Sequence, residues 1–387
     1  MSSRTPPPDP LAAGTGVRWD VALGSLGDRR RLSPIAWSGG FAALDANVDR
    51  HHRMWLSADG RSWTSHGLPR PLNARGTTLL AFRGSLVLVD VSYVVRGSVY
   101  DIWMSRDGLT WAQRTTLSTL AALPNDVEFG SMMALGNRLA LFSYISPQGS
   151  GGARPASIDG AYQLSPRYPR DGAAMSRGAP ILSERGMYLL TSSDGRAWTR
   201  QRMKGVAHDF INVFSAEPGS VDGIREIGSR FWLVHSRNGI RWQAVAPLPQ
   251  QIGEGDIFTL VATTDGYVLS ADTGEAHALA GPALTVWRVS RGGTFTQVFD
   301  RVQWGGTGLE ASGATVVITG NASSRAERAF ALVSTDSGAT FQISAGWPAM
   351  QSAAGCFGAV AIRDGTAVAS SACTIDPSST LLVAELP

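Results

Sequence analysis

Residues 56–64 read Leu56-Ser57-Ala58-Asp59-Gly60-Arg61-Ser62-Trp63-Thr64. An Asp-Gly pair between apolar runs marks a tight turn, because Asp and Gly accept the positive φ that such a turn needs. The spelling returns along the chain. Ser105, Asp107, Gly108 and Trp111 repeat it, as do Ser193, Asp194, Gly195 and Trp198. Asn238 replaces the acid before Gly239 and Trp242, and Gly292-Gly293 with Phe295 is a degraded copy. Ser334, Asp336, Gly338 and Phe341 form the last. Copies lie roughly 44–54 residues apart, with one wide gap between Asp107 and Asp194; a period in that range signals a propeller or a solenoid.

Each copy follows an apolar strand, such as "RMWL", "DIWM" or "FWLV", and two further strands around a turn lie upstream, as in "LLAFRGSLVLVD". The unit is therefore four antiparallel strands, A to D, with the Asp-Gly motif at the C–D turn, which is a propeller blade. The Asp side chain shapes the turn and the aromatic opens strand D and packs between blades. Asp59, Trp63, Asp107, Trp111, Asp194, Trp198, Asn238, Trp242, Asp336 and Phe341 are thus structural residues. After the sixth motif the chain supplies strands A, B and C of another blade and no D. Strand 17–23, with Trp19 in the aromatic place, fills the gap and removes an exposed edge. The expected fold is an all-β, seven-bladed propeller spanning 17–387 as one domain, with six blades as the alternative.

The motif resembles the Asp-box of sialidase-like (BNR repeat) propellers, S-x-D-x-G-x-T-W. Most copies here are one residue shorter, and only Ser334–Phe341 has the full spacing. Sialidases of that family have six blades; seven-bladed members include photosystem-assembly factors and the propellers of xyloglucanase-type hydrolases. The resemblance implies a ligand face opposite the Asp-boxes. A sialidase also needs three substrate-binding arginines, a Tyr–Glu pair, an Asp acid and an F/Y-R-I-P motif. "RRRLSPIAW" offers Arg31 and Pro34 with an extra residue between them and no aromatic before. Sialidase activity is therefore not expected.

The chain has 387 residues, 43% hydrophobic and 17% charged, with a net charge of +3, which is too weak a balance to argue for nucleic acid. No apolar run approaches the roughly 18 residues of a membrane span. Residues 1–16 read as a flexible tail without a signal-peptide core. Cys356 and Cys373 lie in the last blade, whose A–B hairpin turns at Asp364-Gly365. Uninterrupted pairing outward from that turn sets the two cysteines opposite each other, so we expect a disulfide and an exported protein, secreted, periplasmic or at the cell surface. Two buried free thiols are the alternative.

The B–C and D–A loops share the face away from the motifs. Candidate ligand-binding residues there are Arg29, Arg30, Arg31, Asp49, His51, Arg53, Arg301, Trp304 and Trp347. Tyr162, Arg167 and Tyr168 join them from a long insertion at 146–186, and Tyr and Arg are residue types of binding hot spots. Asp126, Glu128, Asp209, Glu254, Asp256 and Asp300 are enough carboxylates to form a catalytic pair, although the sequence does not tell which converge. We expect a monomer that binds a glycan or protein partner without catalysis, and carry a glycoside hydrolase or lyase as the alternative. His51-His52 on a strand face opposite ways, so no metal site is expected, and no cofactor.

Overall fold

The computed structural model describes residues 17–24, 30–47, 52–68, 77–94, 97–118, 127–145, 186–204, 211–217, 220–227, 230–252, 257–273, 283–302, 304–322, 328–344, 357–371 and 380–387. The fold is a seven-bladed β-propeller: seven sheets of four antiparallel strands, with no helix among the described residues. Blades 1 to 6 run through residues 30–67, 78–118, 127–202, 211–247, 257–302 and 304–343, each in the order A-B-C-D. Blade 7 takes its A, B and C strands from 357–385 and its D strand, Trp19–Leu23, from the other end of the chain. Blades 5, 6, 7 and 1 belong to one compact unit, and blades 2, 3 and 4 to a second. Within each unit the A strands of successive blades pack on one another.

The C–D turns follow one plan. In blade 1 the Asp59 carboxylate accepts the amides of Arg61 (2.8 Å) and Ser62 (3.0 Å) and the Ser57 hydroxyl (3.1 Å). The Gly60 amide donates to Ser57 Oγ at 2.8 Å, and Trp63 Nε1 donates to the Gly60 carbonyl at 2.9 Å. Blades 2, 3 and 6 repeat the carboxylate bonds through Asp107, Asp194 and Asp336, and blade 4 repeats them with the amide oxygen of Asn238. In blade 3 the serine that serves the turn is Ser192, not Ser193, since it stands two residues before the acid as in the other copies. Blade 5 has no acid, and the Ser290 hydroxyl accepts the Thr294 amide instead.

The turn also joins blades. Trp198 packs with the apolar layer of blade 2, Trp242 with blade 3, Phe341 with blade 5 and Trp63 with blade 7. Each aromatic lies on the preceding blade; Trp242, for example, meets Phe142 edge-on with centroids 6.2 Å apart. Gly60 (φ 77°) lets its turn sit that close, because a Cβ there would lie 2.8 Å from Val368 of blade 7. Trp19 obeys the same rule. It is 1% exposed, packs with Val317, Ala331 and Val333 of blade 6, and donates from Nε1 to Ser344 Oγ at 3.0 Å.

The A–B hairpin of blade 7 turns at Asp364 (φ 49°) and Gly365 (φ 78°), both in the left-handed region. Pairing runs regularly from Arg363↔Thr366 to Val360↔Ala369 and then shifts, so that Phe357 faces Ser371. Uninterrupted pairing would have set Phe357 opposite Ala372. The β-bulge between Phe357 and Val360 thus removes the register from which a Cys356–Cys373 pairing was expected, because one extra residue on one strand offsets everything beyond it. Both cysteines lie outside the described residues, as does the insertion up to residue 185.

Trp19→Ala should cost about 3–5 kcal/mol in chemical denaturation, from lost burial plus the cavity left between blades 6 and 7. Ser344→Ala, which removes only the hydrogen bond, should cost about 1 kcal/mol.

Candidate functional site

Parity fixes two ends for every blade. A–B and C–D turns lie together at one end: Arg83, in an A–B turn, donates to the Ser193 carbonyl beside the C–D turn of blade 3, and the Ser337 amide donates to Ala314. The B–C hairpin ends and the starts of strand A lie at the other.

The expected site residues divide as follows. Arg30 and Arg31 fall inside strand A of blade 1, Arg30–Trp37. Arg53 opens strand C, exposed, and its Nη1 donates to Ser65 Oγ at 2.9 Å. Glu128 and Trp304 were expected on D–A loops but lie in strand A of blades 3 and 6, Val127–Leu135 and Trp304–Ser312. Asp300 and Arg301, expected on a loop as well, lie in strand D of blade 5, Phe295–Val302. The Asp300 carboxylate accepts Thr285 Oγ1 (3.4 Å) and Gln297 Nε2 (3.1 Å). Blade 2 holds the same cluster with the acid and the threonine exchanged: Thr116 and Gln113 on strand D donate to Asp101 on strand C. That recurrence makes the Asp300 cluster part of the outer strand's own bonding. Arg29, Asp49, His51, Asp126, Tyr162, Arg167, Tyr168, Asp209, Glu254, Asp256 and Trp347 lie outside the described residues. No group of three or more metal-ligating side chains occurs among the described residues.

Three features went unread in the sequence. The third residue of strand B is buried and aliphatic in six blades: Ala42, Val87, Ala140, Val268, Val317 and Val368. In blade 4 it is Asp222, whose side chain is 2% exposed. Its carboxylate meets His235 Nδ1 at 2.8 Å and accepts the Ser220 hydroxyl at 2.9 Å. The imidazole is a third exposed. These residue types resemble a nucleophile triad, but the serine bonds the acid rather than the imidazole, so the arrangement does not activate Ser220. Only comparison of aligned blades reveals Asp222 as the odd one.

The second feature is Asp90 and Asp101, directly paired across strands B and C of blade 2 and both buried. Thr77 donates to Asp90 at 3.2 Å. The third is Glu310 on strand A of blade 6, paired with Val317, whose side chain belongs to the layer shared with blade 7. Burial pushes its carboxyl up to about 7. The turn acids move the other way. The amides of Ser62 and Arg61 hold Asp59 below the ordinary carboxylate range, those of Thr110 and Leu109 do so for Asp107, and that of Arg196 leads for Asp194.

No protein-family model matches the chain, and no curated protein matches it either. Solved structures do. An ulvan lyase, described as a new family of polysaccharide lyase, superposes with a TM-score of 0.55 at 9% identity, covering 95% of both chains. The Swd1 β-propeller domain of Myceliophteria thermophila superposes with a TM-score of 0.50 at 10% identity, covering 94% of this chain and 99% of its own. A Trypanosoma rangeli sialidase reaches 0.46 at 12% identity, over 96% of this chain and 60% of its own, too low to bear on activity. Likeness at such identity establishes the class, a β-propeller, and nothing finer.

Replacing one member of the blade 4 pair, His235→Ala, should destabilise by about 1–3 kcal/mol, since it leaves a buried acid short of a partner. The double variant Asp222→Val, His235→Leu restores the aliphatic residue that the other blades carry at the Asp222 position and should unfold at the wild-type denaturant midpoint or above. Glu310 keeps a proton in the folded state that the unfolded chain releases, so its contribution is present below about 4.5 and is lost as pH rises to about 7. The turn acids contribute above the ordinary carboxylate range, and that contribution is lost in acid. Glu310→Gln should therefore flatten stability against pH between about 4.5 and 7, leaving the acid limb unchanged.

Proposed function

We propose that this chain is a non-catalytic binding propeller of the Asp-box type, which takes a glycan or a protein partner at the end of the blades opposite its Asp-Gly turns. The observation that carries the proposal is the use made of the turn acids. Asp59, Asp107, Asp194 and Asp336 each commit Oδ1 to a backbone amide and a serine hydroxyl, which ties these side chains to shaping the turn. The opposite end is served by the longest loops, and the sequence puts its unpatterned Tyr, Arg and Trp residues there. Functional residues collect on such loops because the scaffold beneath them is rigid.

A glycoside hydrolase or lyase is the second reading, favoured by one group. Burial brings the Glu310 carboxyl to about 7, the range that suits a general acid, at a place two residues from the turn end of its strand. A second carboxylate beside it is what catalysis would add. The polysaccharide lyase with this fold makes the reading worth a test, although a shared fold at 9% identity does not transfer its activity.

Screening on a glycan array, followed by titration of any hit, tests both readings. Tyr162→Ala, Arg167→Ala and Tyr168→Ala together should weaken binding at least tenfold and leave the melting temperature unchanged. Glu310→Gln should leave binding intact. Cleavage of a bound glycan that disappears in Glu310→Gln would overturn the non-catalytic assignment.

A further inference from the structure

The arginines at the turn end are distributed unequally. In the unit formed by blades 5, 6, 7 and 1 they have partners: Arg61 meets Glu385 at 2.7 Å, Arg288 meets Asp265 at 3.7 Å, Arg363 meets Asp364 at 2.9 Å, and Arg291 donates to the Thr263 and Thr264 carbonyls at 3.4 Å. In the unit formed by blades 2, 3 and 4, Arg106, Arg138, Arg196, Arg237 and Arg241 are exposed at the same end, and none has an ion pair or hydrogen-bond acceptor among the described residues. Lys204, the single lysine of the chain, follows strand D of blade 3 and is exposed, its amide bonded to the Ile240 carbonyl next to Arg241.

Little negative charge answers these cations. Asp107 and Asp194 each commit one oxygen, Oδ1, to backbone amides and a serine hydroxyl, Arg196 adds an electrostatic contribution at Asp194, and blade 4 has the neutral Asn238 in the acid's place, so two turn acids stand against five arginines. Glu217 ends strand A of blade 4 at this level, and its side chain is not described. The turns that carry the cations are contiguous. Arg83 bonds the Ser193 carbonyl at 3.1 Å, which ties blade 2 to blade 3. A Cβ on Gly239 would lie 2.9 Å from Leu189, so the turn of blade 4 rests on blade 3.

We propose that the turn end of blades 2 to 4 is a second binding surface, for a linear polyanionic polysaccharide bearing sulfate or carboxylate groups. It goes beyond the reading above, which places a partner at the other end. Guanidinium groups bind such anions bidentately, and a row of them across three blades suits a repeating charge. Single-stranded nucleic acid would call for exposed rings to stack its bases. Leu109 is the large exposed hydrophobic residue of this end, and Trp111, Trp198 and Trp242 turn their indole N–H groups inward to glycine carbonyls.

The experiment is titration of the full chain with heparin as probe, across a range of salt concentrations. Heparin should bind at low salt and weaken as salt rises, because binding displaces counterions. Arg106→Ser, Arg196→Ser, Arg237→Ser and Arg241→Ser together should weaken it at least tenfold and flatten the salt dependence, with an unchanged melting temperature. The paired set Arg61→Ser, Arg288→Ser and Arg363→Ser should change it less than twofold. The inference is overturned if heparin fails to bind at low salt, or if both sets lose equally. It is overturned too if duplex DNA or phosphatidylglycerol vesicles bind at least as tightly through the same four arginines. Loss of heparin in the Tyr162, Arg167, Tyr168 variant alone would move the site to the opposite end, sinking this inference while sparing the earlier one.

Discussion

A side-chain oxygen that accepts two consecutive backbone amides is the interaction on which the blades depend. In the turn at Asp59 it satisfies donors that would otherwise be left open, and it fixes where strand D begins. The same turn places Trp63, whose indole N–H is bonded within the turn while its ring lies on the preceding blade. Local chemistry and tertiary packing are therefore set by one short stretch. Blade 5 shows how much is dispensable: with Ser290 alone holding the turn, its four strands still form.

Between the turns, the blades meet through aliphatic layers. Strand B buries Val87 and Val89 in blade 2, Val316 to Ile318 in blade 6 and Ala367 to Ala369 in blade 7. Against that background an ionisable group stands out, because burying a polar group costs stability that packed hydrocarbon does not. Asp222 with His235, Asp90 and Glu310 are such departures. They sit on regular strands, so they are not demanded by turns or edges.

At their turn ends the two groups of blades set the same residue types differently. Around blades 5, 6, 7 and 1, arginines at the turn end are anchored to neighbouring carboxylates or, at Arg291, to backbone carbonyls. Around blades 2, 3 and 4 the carboxylates are committed to amides and the guanidinium groups face solvent. A modest net charge of +3 conceals this, since composition averages over position.

The sequence by itself determined the repeat, the four-strand unit, the seven blades and the closing strand at Trp19. These follow from turn chemistry and from alternation, which act within a few residues and survive in the spelling. It also named Asp300, Arg301, Glu128 and Trp304 as loop residues, and there it was off by a few positions, because strand ends are set by pairing partners far along the chain. The hairpin register of blade 7 failed for a similar reason: the bulge between Phe357 and Val360 leaves no mark in the spelling. Tertiary structure alone decided which acid takes an aliphatic place in blade 4 and which arginines have partners. Each of these depends on what a neighbouring strand or blade brings within a few ångströms, and sequence distance says nothing about that.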